Sequence, residues 1–124
     1  MKEKQTYLSK IEKILVRNSQ YKLEAYHFLL AALHHTVSEL KKPRHVSGQE
    51  LLGGIRDYAL EQYGPLTRTV LNYWGIRETV DFGHIVFALV EAGILRKQPE
   101  DTIQDFEKVF DFTEAFDKGY KISD

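Results

Sequence analysis

The chain has 124 residues, no cysteine, a 43% hydrophobic share and 15 aromatic residues (7 Phe, 7 Tyr, 1 Trp). That suits one domain with one core and excludes disulfides, thiolate zinc sites and cysteine nucleophiles. The formal net charge of −1 gives no basis for strong non-specific nucleic-acid binding, and no apolar run is long enough to span a bilayer.

The opening residues lack the apolar core of a signal peptide, so the expectation is a soluble, cytoplasmic single domain over residues 1–124. Residues 6–17 predict a helix with Leu8, Ile11, Ile14 and Leu15 on one face. Asn18, Ser19 and Gln20 break it. Residues 21–41 predict a second helix, whose stripe of Tyr26, Leu29, Leu30, Leu33, Val37 and Leu40 is widened by Phe28 and Ala32. A helix apolar around most of its circumference belongs at the centre of its domain. Lys41, Lys42 and Pro43 end it, because proline removes a donor and disfavours helix at the residue before it.

The clearest local signal comes next. Ser47 and Glu50 form a Ser-x-x-Glu capping box, and Leu51, Leu52, Ile55, Tyr58 and Ala59 then recur at helical spacing until Gly64. Gly53 and Gly54 sit inside this helix against propensity. We expect Gly53, beside the Leu52 stripe, to admit a neighbouring backbone or ligand, and Gly54 to face the acidic side. Residues 65–74 predict a short helix burying Leu66, Val70, Leu71 and Trp74, stopped by Gly75. Thr79 or Asp81 is expected to cap a further helix with Phe82, Ile85, Val86, Leu89 and Val90 inward and Gly93 at its end.

Beyond it, residues 94–97 read as a short strand and residues 98–101 as a turn. Residues 105–112 are ambiguous: Phe106, Val109 and Phe110 are helically spaced, whereas Phe110 and Phe112 alternate. Thr113 would cap a last short helix through Phe116, ended by Gly119. The fold expected is mainly α, a single helical domain of about five helices, with two alternatives open for its end. One is a small C-terminal β-hairpin giving a winged-helix-like second half; the other is a helical bundle with an irregular tail.

The segment Arg44-His-Val-Ser-Gly-Gln-Glu-Leu-Leu52 resembles an uncharacterised bacterial family of small single-domain proteins, a domain of unknown function. Glu24-Ala-Tyr-His-Phe28, Asp81-Phe-Gly-His-Ile-Val-Phe-Ala-Leu-Val-Glu91 and the region of residues 105–112 are similar to it as well. The resemblance covers residues 21–120. It implies a bacterial single-domain protein and brings no activity, ligand or catalytic residue.

Three constellations bear on function. Arg44 and His45 precede the N-terminus of the Ser47 helix, where unpaired N–H groups and the helix dipole favour anions. Gln49, Gly53 and Arg56 share a stripe of that helix. Together Arg44, His45, Ser47, Gln49, Gly53 and Arg56 are the candidate anion-binding residues; the plainer reading pairs both arginines with carboxylates.

Glu24 and His27 have Glu-x-x-His spacing, and Asp81 with His84 lies on another helix, but the further inward glutamates of a dinuclear site are missing. No metal and no cofactor is expected, and no catalytic residue is assigned: Ser19, Ser38 and Ser47 lack a nucleophile-elbow setting, and Asp81-Phe-Gly83 lacks the other kinase elements. A winged-helix recognition helix carrying Asp81, His84 and Glu91 without Lys or Arg would repel phosphate, so nucleic acid is not the expected partner. The leading expectation is an interaction or regulatory module that binds a protein partner or its own copy. The alternative is a small-anion sensor or enzyme subunit.

Overall fold

The computed structural model describes residues 2–118, with side chains from residue 9 onward. Its elements are α1 (Lys2–Arg17), α2 (Leu23–Ser38), α3 (Gly48–Tyr63), a 3-10 turn (Gly64–Leu66), α4 (Thr67–Tyr73) and α5 (Thr79–Glu91). A 3-10 turn (Ile103–Phe106) and a π-helical turn (Thr113–Asp117) complete the chain. The fold is mainly α, with five α-helices and no strand among the described residues.

Helix α2 is the hub. Its residues Ala25, Tyr26, Leu29 and Ala32 are fully buried, it packs most extensively on α3, and α5 lies against it as well. Where α2, α3 and α4 meet, Phe28 stacks at 5.6 Å on Tyr58 and at 5.5 Å on Trp74. Tilted and edge-on rings of this kind add about 0.5–1.5 kcal/mol per pair beyond area burial.

Local chemistry sets the helix ends. The Ser47 capping box forms in full: Ser47 Oγ accepts from Glu50 N (3.1 Å), and Glu50 Oε1 accepts from Ser47 N (2.9 Å). Helix α4 ends where Ile76 N bonds Leu71 O and Gly75 N bonds Asn72 O; α5 ends with Ile94 N on Leu89 O and Gly93 N on Val90 O. Both are Schellman motifs, and both need a left-handed residue, met by Gly75 (φ +94°) and Gly93 (φ +79°).

The second Schellman motif also explains why residues 94–97 form no strand. Ile94 N and Leu95 N are both drawn back to Leu89 O, and among the described residues no neighbouring strand offers a ladder and no hairpin or winged-helix half is formed. The turn at residues 98–101 is present, closed by Asp101 N on Gln98 O (3.0 Å).

The aromatic tail folds back onto the bundle as turns. Phe106 is held between Gly48 of α3 and Gly83 of α5, each too close to its ring or Cβ to carry a side chain of its own. Thr79 Oγ1 fastens it by donating to Phe106 O (2.6 Å) and accepting from Val109 N (3.2 Å). Phe112 and Phe116 are buried edge to face at 5.0 Å, and Phe112 lies 6.0 Å from Phe82.

Several boundaries and faces differ from expectation. Helix α1 begins at Lys2, and its expected Leu8 lies outside the described side chains; Ile11 and Ile14 are buried as expected. Helix α2 stops at Ser38, three residues short: Ser38 Oγ donates to His35 O (2.7 Å), Glu39 N makes the last i→i−4 bond, and Leu40 N turns back to Val37 O (3.1 Å). Tyr21 precedes α2 and is buried there. Leu66 is 62% exposed, because the 3-10 turn rotates Thr67 inward in its place; Thr67 Oγ1 bonds Ala59 O and Gly64 O. The N-cap of α5 is Glu78, with Asp81 at N3, so neither Thr79 nor Asp81 is the cap itself. Asp111 Oδ2 accepts from Glu114 N (3.1 Å) at the last turn, where no Thr113 cap forms; the expected stop at Gly119 lies outside the described residues.

The two glycines of α3 exchange roles. A Cβ on Gly53 meets nothing within 4 Å, whereas a Cβ on Gly54 would fall on Thr36 Oγ1 and within 2.8 Å of Thr36 Cβ and Cγ2. Gly54, not Gly53, is therefore where α2 approaches α3. Arg56 and Asp57, exposed three and four positions after Gly53, lie on the water-facing side of the helix with it.

Candidate functional site

A cleft of about 220 Å³ opens directly beside the N-terminus of α3. Its walls are apolar: Leu33 and Val37 from α2, Leu51 from α3, Val86 and Phe87 from α5, and Leu95 from the chain after α5. All but Leu51 are only partly buried, although each packs on the core. Half-buried apolar side chains converging on one concavity are the usual lining of a ligand site. Its polar mouth consists of Arg44, His45, Ser47, Arg96, Lys97 and Asp101.

Three of the six expected anion-site residues thus meet at the cleft and three do not. Arg44, His45 and Ser47 line it; Gln49, Gly53 and Arg56 lie along a stripe of α3 outside it, and Arg56 pairs with the adjacent Asp57 (3.2 Å). The α3 N-terminus itself is not an open anion site. Arg44 donates from both terminal nitrogens to the Glu50 carboxylate (3.1 and 2.8 Å), and that carboxylate caps Ser47. The Arg44 hydrogen bonds, followed by the bond from Ser47 N, bring the Glu50 carboxyl down to about 2 from an ordinary 4.5. The same pairing raises the Arg44 guanidinium above its usual value. The intrinsic carboxylate holds the place an external anion would take.

Across the mouth, His45 Nε2 and Asp101 Oδ2 are 2.7 Å apart, and the same oxygen accepts from Gln98 N (2.8 Å). This pair joins segments 56 residues apart in the chain, which no local pattern announces. Lys97 Nζ reaches only backbone oxygens, Gln98 O (3.3 Å) and Asp101 O (3.5 Å). Arg96 is exposed, and its side chain has no partner among the described residues.

His45, Asp101 and Ser47 are the residue types of a hydrolytic triad on one cleft, but the relay is incomplete. A triad needs the nucleophilic hydroxyl bonded to the imidazole nitrogen that the carboxylate leaves free. Among the described residues no hydroxyl bonds His45, and Ser47 Oγ accepts the Glu50 N–H of the cap.

A second polar cluster lies at the start of α5. Tyr21 Oη donates to Asp81 Oδ1 (2.6 Å), and Arg77 N and Glu78 N donate to Asp81 Oδ2 (2.8 and 3.0 Å). His84 Nδ1 is 3.1 Å from the same phenol oxygen. Burial foremost, then the bond to Asp81, raises the Tyr21 phenol far above its ordinary range, so it stays protonated as a donor. The Asp81 carboxylate is saturated, and the cluster ties the start of α2 to the start of α5. Asp81 and His84 are thus spent on a tertiary latch. Among the described residues no group of three or more His, Asp or Glu side chains is placed to hold a metal ion.

Three larger grooves are present as well: one of about 390 Å³ between α1 and α5, rimmed by Lys10, Lys13, Arg17 and Glu91, and two of about 440 and 460 Å³ that border residues 107–113. The last two share Arg77, Asp111 and Phe112, and their rims mix both charges, with Glu78, Glu107 and Lys108 on the 440 Å³ groove and Arg68 on the 460 Å³ one. These grooves are larger, but their rims are charged and polar, whereas the smaller cleft has the apolar walls and few polar groups of a ligand site. No helix among the described residues is long and apolar enough to cross a membrane. The chain matches no family model, no curated protein and no solved structure.

Proposed function

We propose that the protein is a non-catalytic binding module of regulatory type, and that the cleft between α2, the α3 N-terminus and α5 receives the apolar part of a small ligand. The observation that supports this most is the apolar concavity lined by Leu33, Val37, Val86, Phe87 and Leu95. A ligand that lays its apolar surface against these half-buried side chains gains the hydrophobic free energy of the area both remove from water. The absence of a hydroxyl relayed to His45 among the described residues supports binding rather than hydrolysis. This reading moves the sensor alternative from the helix N-terminus to the adjoining cleft.

The test is ligand capture from the small-molecule fraction of the native cells, read by mass spectrometry. Wild-type protein is compared with Val37→Phe and Val86→Phe, each of which fills the cleft from a different helix. The expected result is a compound enriched by wild type and lost from both folded variants. Equal enrichment by all three, or none, contradicts the reading.

A second reading, a protein partner or a second copy, is favoured by a different surface. Leu66 and Tyr73, seven residues apart on the 3-10 turn and α4, are 62% and 69% exposed, and Lys22 lies 5.3 Å over the Tyr73 ring. An exposed tyrosine is a common interface anchor, and Leu66 beside the start of α4 adds apolar area to the same stretch of chain. Loss of self-association or partner capture on Leu66→Ser with Tyr73→Ser, with the cleft variants unaffected, is the result that selects it.

A further inference from the structure

Resting on the cleft reading above, we infer that the ligand is a small amphipathic anion: a compact apolar body carrying a carboxylate or phosphate-ester head, with the head at Arg96 and Lys97. The argument is one of charge complementarity at an apolar site. Four formally charged side chains line the mouth, apart from His45. Arg44 is neutralised by Glu50, and Asp101 is engaged by His45 and Gln98 N. What remains is Arg96, without a partner among the described residues, and Lys97, held only by two long bonds to carbonyls.

Arg96 and Lys97 therefore stand at the rim of the apolar walls without a carboxylate partner among the described residues. With His45 neutral the mouth keeps one net positive charge, since Glu50 offsets Arg44 and Asp101 offsets one of the other two cations. An anionic head complements it. A cationic ligand would meet both and find the one carboxylate already occupied. A neutral apolar ligand would leave them as they are. The cleft volume of about 220 Å³ lies below the range of drug-sized sites, which limits the apolar body to a few carbons or a single ring.

The site differs from the anion site expected at the α3 N-terminus. There the N–H groups and Arg44 already hold the Glu50 carboxylate. Here the cations come from the chain after α5, and the apolar walls decide which anions enter. Inorganic phosphate has the charge without the body and gains nothing from those walls.

The probes are hexanoate and hexyl phosphate, their neutral counterparts hexanamide and hexan-1-ol, and inorganic phosphate. Each is titrated into the full chain while backbone amide resonances are followed by NMR. The anions are expected to shift Val37, Val86, Phe87 and Leu95 saturably and to bind about tenfold more tightly than the neutral counterparts, the scale of one charge-assisted hydrogen bond. The relative shifts by hexanoate and hexyl phosphate assign the head group. Inorganic phosphate is expected to leave those four residues unmoved. The double variant Arg96→Gln with Lys97→Gln changes only exposed side chains, and should abolish the tenfold difference without weakening the neutral probes.

Equal binding of anions and neutral counterparts overturns the anion assignment and leaves the cleft reading standing. Preference retained in the double variant overturns the role of Arg96 and Lys97. Failure of all four hexyl probes to move the cleft residues overturns both this inference and the reading on which it rests.

Discussion

Replacing the two glycines of α3 by alanine, one at a time, should give effects of opposite sign. At Gly53 the added methyl meets nothing within 4 Å, so only the helix-propensity gain of about 0.5–1 kcal/mol remains. For a domain of this size that is a rise in Tm of about 2–4 °C. At Gly54 the methyl falls on Thr36 Oγ1 and comes within 2.8 Å of Thr36 Cβ and Cγ2. Turning the Thr36 side chain moves Oγ1 and Cγ2, but Cβ stays, and the turn breaks the Thr36 Oγ1 bond to Ala32 O (2.7 Å). Helices α2 and α3 must separate slightly instead. Overpacking of this kind costs about 1–3 kcal/mol, which exceeds the propensity gain and leaves Gly54→Ala destabilised by about 0.5–2 kcal/mol. The assay is a urea and thermal melt of both variants, with Thr36→Ala added to close a double-mutant cycle. Thr36→Ala should recover part of the Gly54→Ala loss and leave the Gly53→Ala gain unchanged. Stabilisation by both alanines, or no coupling between positions 36 and 54, refutes the close-approach argument.

Ser47→Ala removes one half of the α3 capping box and should cost about 1 kcal/mol, while Ser47→Asp should be nearly neutral; a chemical-denaturation midpoint unchanged by alanine contradicts the cap. Because the Glu50 carboxyl is brought down to about 2 by Arg44 and Ser47, its contribution is complete above the ordinary carboxylate range of about 4.5. It should fade as pH falls from there towards 2, and Glu50→Gln should remove that part of the acid dependence in urea melts from pH 2 to 6. Tyr21 and Tyr26 form a matched pair, both buried. Tyr21→Phe breaks the bond to Asp81 and should cost about 1–2 kcal/mol, whereas Tyr26 Oη has no hydrogen-bond partner among the described residues, so Tyr26→Phe should be neutral or stabilising. Equal losses in the two melts contradict the latch.

Where a structural signal is local, the sequence carried it. Ser47 and Glu50 are three residues apart and form their capping box without help from the rest of the fold. Gly75 and Gly93 stand at the two Schellman ends, since a left-handed residue is needed there whatever the surroundings. Where the outcome depends on what lies opposite, the pattern misleads. Ile94 and Leu95 have strand propensity, but Leu89 O takes both N–H groups and no neighbouring strand is there to pair with among the described residues. Gly53 and Gly54 are equivalent in the sequence until Thr36, eighteen positions back, fills the space beside one of them.

The site was legible in part for the same reason. Arg44, His45 and Ser47 were singled out by their place before a helix. The salt bridge that closes the helix end to anions joins Arg44 to Glu50, six residues on, by side-chain geometry alone. Asp101, which holds His45, is 56 residues away. The cleft itself has no sequence signature. Leu33, Val37 and Val86 read as ordinary core positions, and only packing shows that their outer surfaces line a cleft.

The most direct test of that cleft is an amide chemical-shift map of the full chain against a broad library of small apolar and amphipathic fragments. Fragments that bind are predicted to converge on Val37, Val86, Phe87 and Leu95, and to lose that signature in Val37→Phe and Val86→Phe. Fragments that gather instead on the grooves beside Arg77 and Asp111, or shifts that survive in both filled variants, would contradict the assignment of the cleft as the binding site.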